Sequence, residues 1–137
     1  MAETGKLAFE LVSPEQLVLS EDAEMVVCPG ALGEFGVLHR HAPMIAALKP
    51  GVVAISYSGR EPDQRYFVAG GFAEVTGDRC TVLAEHPIDV ATMARSEVEK
   101  ALKNAREDLD DAKTERQAQA AKREIEINEA KLRALAR

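Results

Sequence analysis

All nine glycines and all six prolines of this chain fall at or before Pro87, and residues 88–137 contain neither. Glycine admits positive φ and close backbone approach, and proline removes a backbone donor and interrupts helix, so both punctuate short elements. A chain divided this way must fold in two styles. The first part is cut into short segments by turns, and the second is free to run as uninterrupted helix. The boundary falls at His86 and Pro87, which gives one domain over residues 1–86 and another over residues 87–137.

Within the first part the apolar residues alternate. Leu7, Phe9 and Leu11 share one face of a strand. Ser13, Pro14 and Glu15 make a turn, residues 16–20 a second strand, and residues 23–28 a third, stopped by Pro29 and Gly30. Residues 30–51 hold three glycines within seven positions, then His39, Arg40, His41, Ala42 and Pro43, and close on Lys49, Pro50 and Gly51. Tight turns between short strands are expected there, with Gly36 held by a turn or a close approach. Residues 52–57 are rich in β-branched side chains, and residues 65–69 read as the next strand. Gly70 and Gly71 interrupt an apolar run and mark a bulge or sharp bend before strands at 72–76 and 80–84. About nine short strands with turn signals between them predict an antiparallel β-sandwich or flattened barrel.

Beyond Pro87, Ala, Glu, Lys and Arg dominate, as in helices. Ala94, Val98, Ala101, Ala105, Leu109 and Ala112 recur at spacings of three and four, as do Ala118, Ala121, Ile125, Asn128, Leu132 and Leu135. Each set is a narrow seam of the coiled-coil kind. Between them Thr114 and Gln117 fit a capping box, and Asp108, Asp110 and Asp111 favour turns. The pattern predicts helices at roughly 91–108 and 115–135, folded as an antiparallel hairpin. One continuous helix is the alternative, because no Gly or Pro enforces the break. The seam is mostly Ala, and at ~25 cal/mol per Å² it contributes far less than a Leu seam of equal length. A movable hairpin and a static docked one both fit that composition.

With 17 basic and 23 acidic residues the net charge is -6. There is no basic block and no Trp, which excludes an ordinary nucleic-acid-binding surface. The imbalance sits in residues 1–86, with 6 basic and 12 acidic groups, whereas residues 87–137 carry 11 of each. Cys28 and Cys80 lie in apolar runs and read as small buried hydrophobes, with a disulfide as the unsupported alternative. No secretory signal is read, and no apolar run approaches the ~20 residues that span a bilayer. A soluble chain is expected, reaching a membrane only through partners.

Signals for catalysis are weak. His39 and His41 would share a face of a strand and could chelate a metal, but no third ligand group accompanies them and Arg40 opposes a cation. His86, in the linker, suits hydrogen bonding. Glu10, Glu24, Glu34 and Glu74 are scattered over strands, and no nucleophile elbow or phosphate-binding loop occurs. No catalytic residue, metal or cofactor is expected, and the chain reads as a binding or mechanical part.

Glu34, Phe35, Gly36 and Val37, then His41, Ala42 and Pro43, then Lys49, Pro50 and Gly51, then Gly70, Gly71 and Phe72 stand in a characteristic order and spacing. They resemble the N-terminal domain of the epsilon subunit of bacterial F-type ATP synthase, and the resemblance extends over nearly the whole chain. It implies a β-sandwich beside the gamma subunit's shaft and on the ring of membrane-embedded c subunits. It also implies a helix pair that folds down or extends transiently into the alpha/beta catalytic head, inhibiting ATP hydrolysis. The chain would then be a non-catalytic rotor subunit of the central stalk, serving proton-driven ATP synthesis. Its place would be peripheral, on the cytoplasmic face of a bacterial inner membrane.

By position, Glu34 and the loop to His41 match the family segment that meets the c ring; a solvated edge charge is the plain alternative for Glu34. Gly36, Gly70 and Gly71, read above as turn or bulge glycines, lie within the motifs that carry the resemblance. Lys122, Arg123, Lys131 and Arg133 match basic residues that face the beta subunit. The alternative is i,i+4 pairing with Glu126 and Glu129, worth ~0.2–0.5 kcal/mol each. Some relatives bind ATP through an Ile/Leu-Asp-x-x-Arg-Ala pattern opening the first helix. Here that pattern falls on residues 93–98, where Ala94 replaces the Asp and Glu97 the Arg. No nucleotide site is expected, because a carboxylate repels phosphate where Arg would grip it. Two other readings stay open: a sandwich-and-hairpin adaptor of another complex, and a metal enzyme built on His39 and His41.

Overall fold

The computed structural model describes residues 6–136. Two compact units result, Met1–Asp89 and Val90–Arg137. The first is a curled sheet of ten strands: β1 Leu7–Val12, β2 Leu17–Ala23, β3 Met25–Gly30, β4 Gly33–Leu38, β5 Met44–Leu48, β6 Gly51–Ser56, β7 Gln64–Val68, β8 Gly71–Thr76, β9 Arg79–Ala84 and β10 Ile88–Asp89. Along the sheet the order is β10-β7-β6-β3-β5-β8-β9-β1-β2, with β4 paired to β3 off this path. All pairings are antiparallel except β1 with β9. That parallel pair is invisible in local sequence, because its strands lie some seventy positions apart, as in the match of Phe9 with Cys80.

Alternation builds the core. Leu7, Phe9 and Leu11 of β1 are fully buried, and Ala73, Val75, Cys80 and Val82 join them from β8 and β9. Val26 and Cys28 of β3 and Val53 and Ile55 of β6 complete the packing from across the sandwich. Cys28 and Cys80 are free thiols buried in this core; the neighbouring Cys80 thiol, with burial, pushes the Cys28 thiol above its ordinary range. At the edge of the core, Tyr57 donates to Glu21 of β2 and accepts from Gln64 Nε2 at 2.7 Å, linking β2 to β7. Burial, with the Glu21 bond adding to it, raises the Tyr57 phenol above its usual pKa.

The expected glycines divide. Gly70 and Gly71 have φ of +139° and +137°, where L side chains are strained. A Cβ on Gly71 would lie 2.0 Å from the Leu83 carbonyl oxygen, so β8 and β9 meet there only because the side chain is missing. Gly36 is a correction. It lies inside β4 with no positive φ, opposite Val27, and an added Cβ would meet only Met25 Sδ at 3.9 Å. The density of glycines around it suggested a turn, but the turn is made at Gly33, whose φ is +136°.

The second unit opens with a 3-10 turn at Val90–Thr92, followed by α1 Arg95–Asp110 and α2 Glu115–Leu135. Helix α1 starts later than its expected position 91. Ile88 and Asp89 are drawn into pairing with Phe67 and Tyr66 of β7, and the 3-10 turn makes the transition. The break between helices is the capped one: Thr114 accepts from Gln117 N at 3.1 Å, while Gln117 Oε1 reaches back to Lys113 N at 2.8 Å. On α1 the seam runs through Val98, Leu102 and Ala105. Ala101, expected in the seam, is exposed. Both three-four readings pass through residues 98 and 105, and the fold buries the larger Leu102 in preference to Ala101. His86 is exposed, with φ of +49°.

These contacts separate two substitutions. Gly71→Val should cost about 3 kcal/mol or more, or prevent folding, since it combines backbone strain with a backbone clash. Gly36→Val should stay within about 1 kcal/mol, because a β-branched residue suits an open strand position. Urea titrations of the two variants measure both values, and a reversed order would contradict the steric account of Gly71.

Candidate functional site

No described group of three or more His, Cys, Asp or Glu residues is placed to hold a metal. His39 Nδ1 donates to the Lys6 carbonyl at 3.1 Å, and His41 Nδ1 to the Ala42 carbonyl at 2.7 Å. Each imidazole is thus turned to backbone of a different part of the chain, and the pair does not converge as a chelate. A binding surface has to be sought elsewhere.

It lies on the outer face of the sheet. The alternation that buries Phe9 and Val82 points Val12, Phe72 and Leu83 the other way. Register then aligns them: Ala47 faces Phe72, Phe72 faces Leu83, Leu83 faces Val12, and Val12 faces Leu17. The result is an unbroken apolar row across β5, β8, β9, β1 and β2. Phe72 is 58% exposed, Leu83 51% and Leu17 55%, so the row faces solvent. The β3–β4 turn extends it, because Ala31 N donates to the Ala47 carbonyl at 2.9 Å and the adjacent Leu32 is wholly exposed. The neighbouring row is polar across β8, β9 and β1, where Glu74 faces Thr81 and Thr81 faces Glu10, and apolar at β5, where the exposed Ile45 faces Glu74. Glu10 accepts from Thr81 Oγ1 at 3.4 Å and pairs with Arg79 at 3.2 Å. An apolar stripe bordered by a polar row is the pattern of a surface meant to be covered. Sequence reading singled out Phe72 only as a neighbour of the glycines. The signal that finds the row is the apolar residue on the outward parity of consecutive strands, and it needs the register to be seen.

The segment expected as one docking loop is a strand with two ends. Glu34 is exposed near the tip of the β3–β4 hairpin, opposite Pro29. His41 lies beyond the other end of β4, in a turn closed by His41 N to Leu38 O at 3.1 Å, with Arg40 at φ of +67°. At ~3.3 Å per residue, β4 sets the two near its opposite ends. Glu34 belongs instead with Leu32 at the hairpin tip.

On α2, Lys122, Arg123 and Arg133 are exposed and Lys131 is half-buried. At about 100° per residue Lys122 and Arg133 share a face, whereas Lys131 points to the opposite one. The four are therefore not a single stripe. Glu129, weighed as an i,i+4 partner for Arg133, pairs with Arg106 of α1 at 3.3 Å. At the start of α1, Ala94 is the N-cap and offers no side-chain bond, Glu97 sits exposed in the first turn, and Arg95 reaches Glu99 at 4.0 Å. No described helix is long and apolar enough to cross a membrane.

The family described as "ATP synthase, Delta/Epsilon chain, beta-sandwich domain" matches residues 6–89. The chain is 48% identical over 134 residues to the ATP synthase epsilon chain of Rhodospirillum rubrum, covering 98% of each. It is 48% identical over 136 residues to that of Paramagnetospirillum magneticum, covering 99% of this chain and 100% of the other. Among solved structures, a chain of the Euglena gracilis mitochondrial ATP synthase (OSCP/F1/c-ring) superposes with a TM-score of 0.85 at 23% identity, over 96% of this chain and 82% of that one. A chain of the Tetrahymena thermophila mitochondrial ATP synthase central stalk/c-ring gives 0.67 at 17%, over 95% and 96%. At those identities the two structures speak for the fold.

The first turn of α1 yields a prediction. Calorimetric titration with ATP and Mg²⁺ should give no saturable heat in the micromolar range, because a carboxylate at Glu97 repels phosphate and Arg95 is already beside Glu99. Saturable micromolar binding that disappears in Arg95→Ala would contradict it.

Proposed function

This chain belongs to the delta/epsilon family of ATP synthase chains, which are non-catalytic subunits of that complex, and we propose that it is a rotor subunit joining the gamma shaft to the c ring. The observation that carries the reading is the exposed row through Ala47, Phe72, Leu83, Val12 and Leu17. A part that transmits torque needs a broad, rigid contact, and a row set on five hydrogen-bonded strands supplies one. Gamma docks on this row, whose central Phe72 offers the large aromatic anchor typical of interface hot spots. The hairpin tip with Leu32 and Glu34 meets the polar loops of the c ring, and His41 stands at the far end of β4.

Placed there, the subunit sits on the cytoplasmic face of a bacterial inner membrane and touches the membrane only through its partners. The helical unit regulates. Released from its hairpin, α2 brings Lys122 and Arg133 on one face toward acidic segments of the beta subunit in the catalytic head, and Arg123 flanks them. The sandwich, taken as residues 1–89, carries the gamma contact without the helices.

Replacing Phe72 and Leu83 together by Ser should leave the melting temperature nearly unchanged, since both side chains are already half exposed. The same change should weaken gamma binding at least tenfold, about 1.4 kcal/mol. Pull-down with gamma, run beside a thermal melt, reads both. Full gamma binding by the folded double variant would show that the shaft docks elsewhere.

A further inference from the structure

The five strands that carry the exposed row are short of positive charge. Across β5, β8, β9, β1 and β2 stand four carboxylates, Glu74, Glu10, Glu21 and Asp22, and one cation, Arg79. Arg79 is already paired with Glu10 at 3.2 Å. Thr81 Oγ1 also turns to Glu10, donating to it at 3.4 Å. Glu21 accepts from Tyr57. Among the described residues, Glu74 has no hydrogen-bonding or ionic partner.

Glu74 leaves β8 on the same face as Phe72, two residues before it. Register sets Ile45 on one side of it and Thr81 on the other. Ile45 is 73% exposed and Phe72 58%, so the carboxylate stands beside two large apolar side chains that are themselves open to solvent. A partner that covers Phe72 and Ile45 must take water from Glu74 as well. An ionised carboxylate stripped of water and left without a counter-charge opposes association strongly. The five strands cannot supply that charge, because their one cation serves Glu10. It has to come from the partner.

We infer that Glu74 is the specificity-determining residue of this face and receives an arginine side chain of the gamma shaft. The inference rests on the reading that gamma docks on the row through Phe72. A guanidinium suits the place better than an ammonium. Its planar fork meets both carboxylate oxygens, its flat face can lie against the neighbouring Phe72 ring, and it is the more weakly hydrated cation. A protein that offers an apolar patch but no cation at this point would leave Glu74 covered and unpaired, and would be rejected. The apolar row supplies contact area, and Glu74 sets orientation and the choice of partner.

Titration of gamma with the full chain, at low and at high salt, tests this. Glu74→Gln keeps the shape of the side chain and removes its charge. It should bind gamma about tenfold more weakly or worse, at an unchanged melting temperature, because Glu74 is exposed in the free chain. Raising the salt should weaken its binding less than it weakens that of the unaltered chain. Glu61→Gln, in the exposed loop between β6 and β7, makes the same change in net charge and should bind as the unaltered chain does. Equal affinity and equal salt dependence of Glu74→Gln and the unaltered chain would overturn the inference. An equal loss in Glu61→Gln would overturn it too, by making the effect one of net charge. The double Ser variant of Phe72 and Leu83, run beside these, reports on the row by itself. Loss of binding there with none in Glu74→Gln leaves the row standing and removes only the cation contact. A carbodiimide-formed amide between Glu74 and a gamma lysine would overturn the choice of arginine.

Discussion

The sandwich depends on sealing one face of β1, β8 and β9 against the opposite strands. Leu7, Phe9 and Leu11 are fully buried there, with Val75, Cys80 and Val82 beside them. A strand turns successive side chains to opposite faces, so the demand that fixes the core fixes the outside as well. Once Phe9 and Leu11 point inward, Glu10 and Val12 must point outward. The close approach of β8 to β9, which only a glycine at Gly71 permits, then sets Phe72 directly beside Leu83. The exposed apolar row is a consequence of the core's register, so a slip of one residue would bury it and expose the core.

Much of this was legible. The division between glycine-punctuated and glycine-free sequence, the alternation in residues 7–11 and 72–84, and the cap at Thr114 are local signals, and the structure follows them. The resemblance carried by residues 34–51 and 70–72 pointed to the family that the comparisons establish. What escaped was whatever depends on who sits next to whom. The parallel contact of β1 with β9, and with it the outward row, is a long-range pairing with no local trace. Gly36 misled because glycine density marks a turn region without saying which glycine turns. Ala101 misled because two seams of equal spacing differ only in the size of one residue. Glu34 and His41 looked like one loop because their separating strand, Gly33–Leu38, begins and contains glycine and carries little alternation.

The two units differ in how they are held. The sandwich has large side chains sealed from water in a closed set of strand pairings, with its thiols buried among them and the Tyr57 cluster satisfied at the edge. The helices meet through Val98, Leu102 and Ala105 of α1 and a narrow stripe with Ala121 and Asn128 of α2, and the exposed ion pair of Arg106 with Glu129 joins them. Exposed pairs of that kind contribute about 0–1 kcal/mol.

The central claim is that the row through Phe72 is the seat of the gamma shaft. It is tested most directly by photo-crosslinking in the assembled membrane complex, with a photoreactive phenylalanine analogue at the position of Phe72 and, separately, at that of Glu34. The account predicts a gamma adduct from the first position and a c-subunit adduct from the second, each identified by mass spectrometry. Adducts from the Phe72 position to the c subunit alone, or to no other subunit, would contradict it.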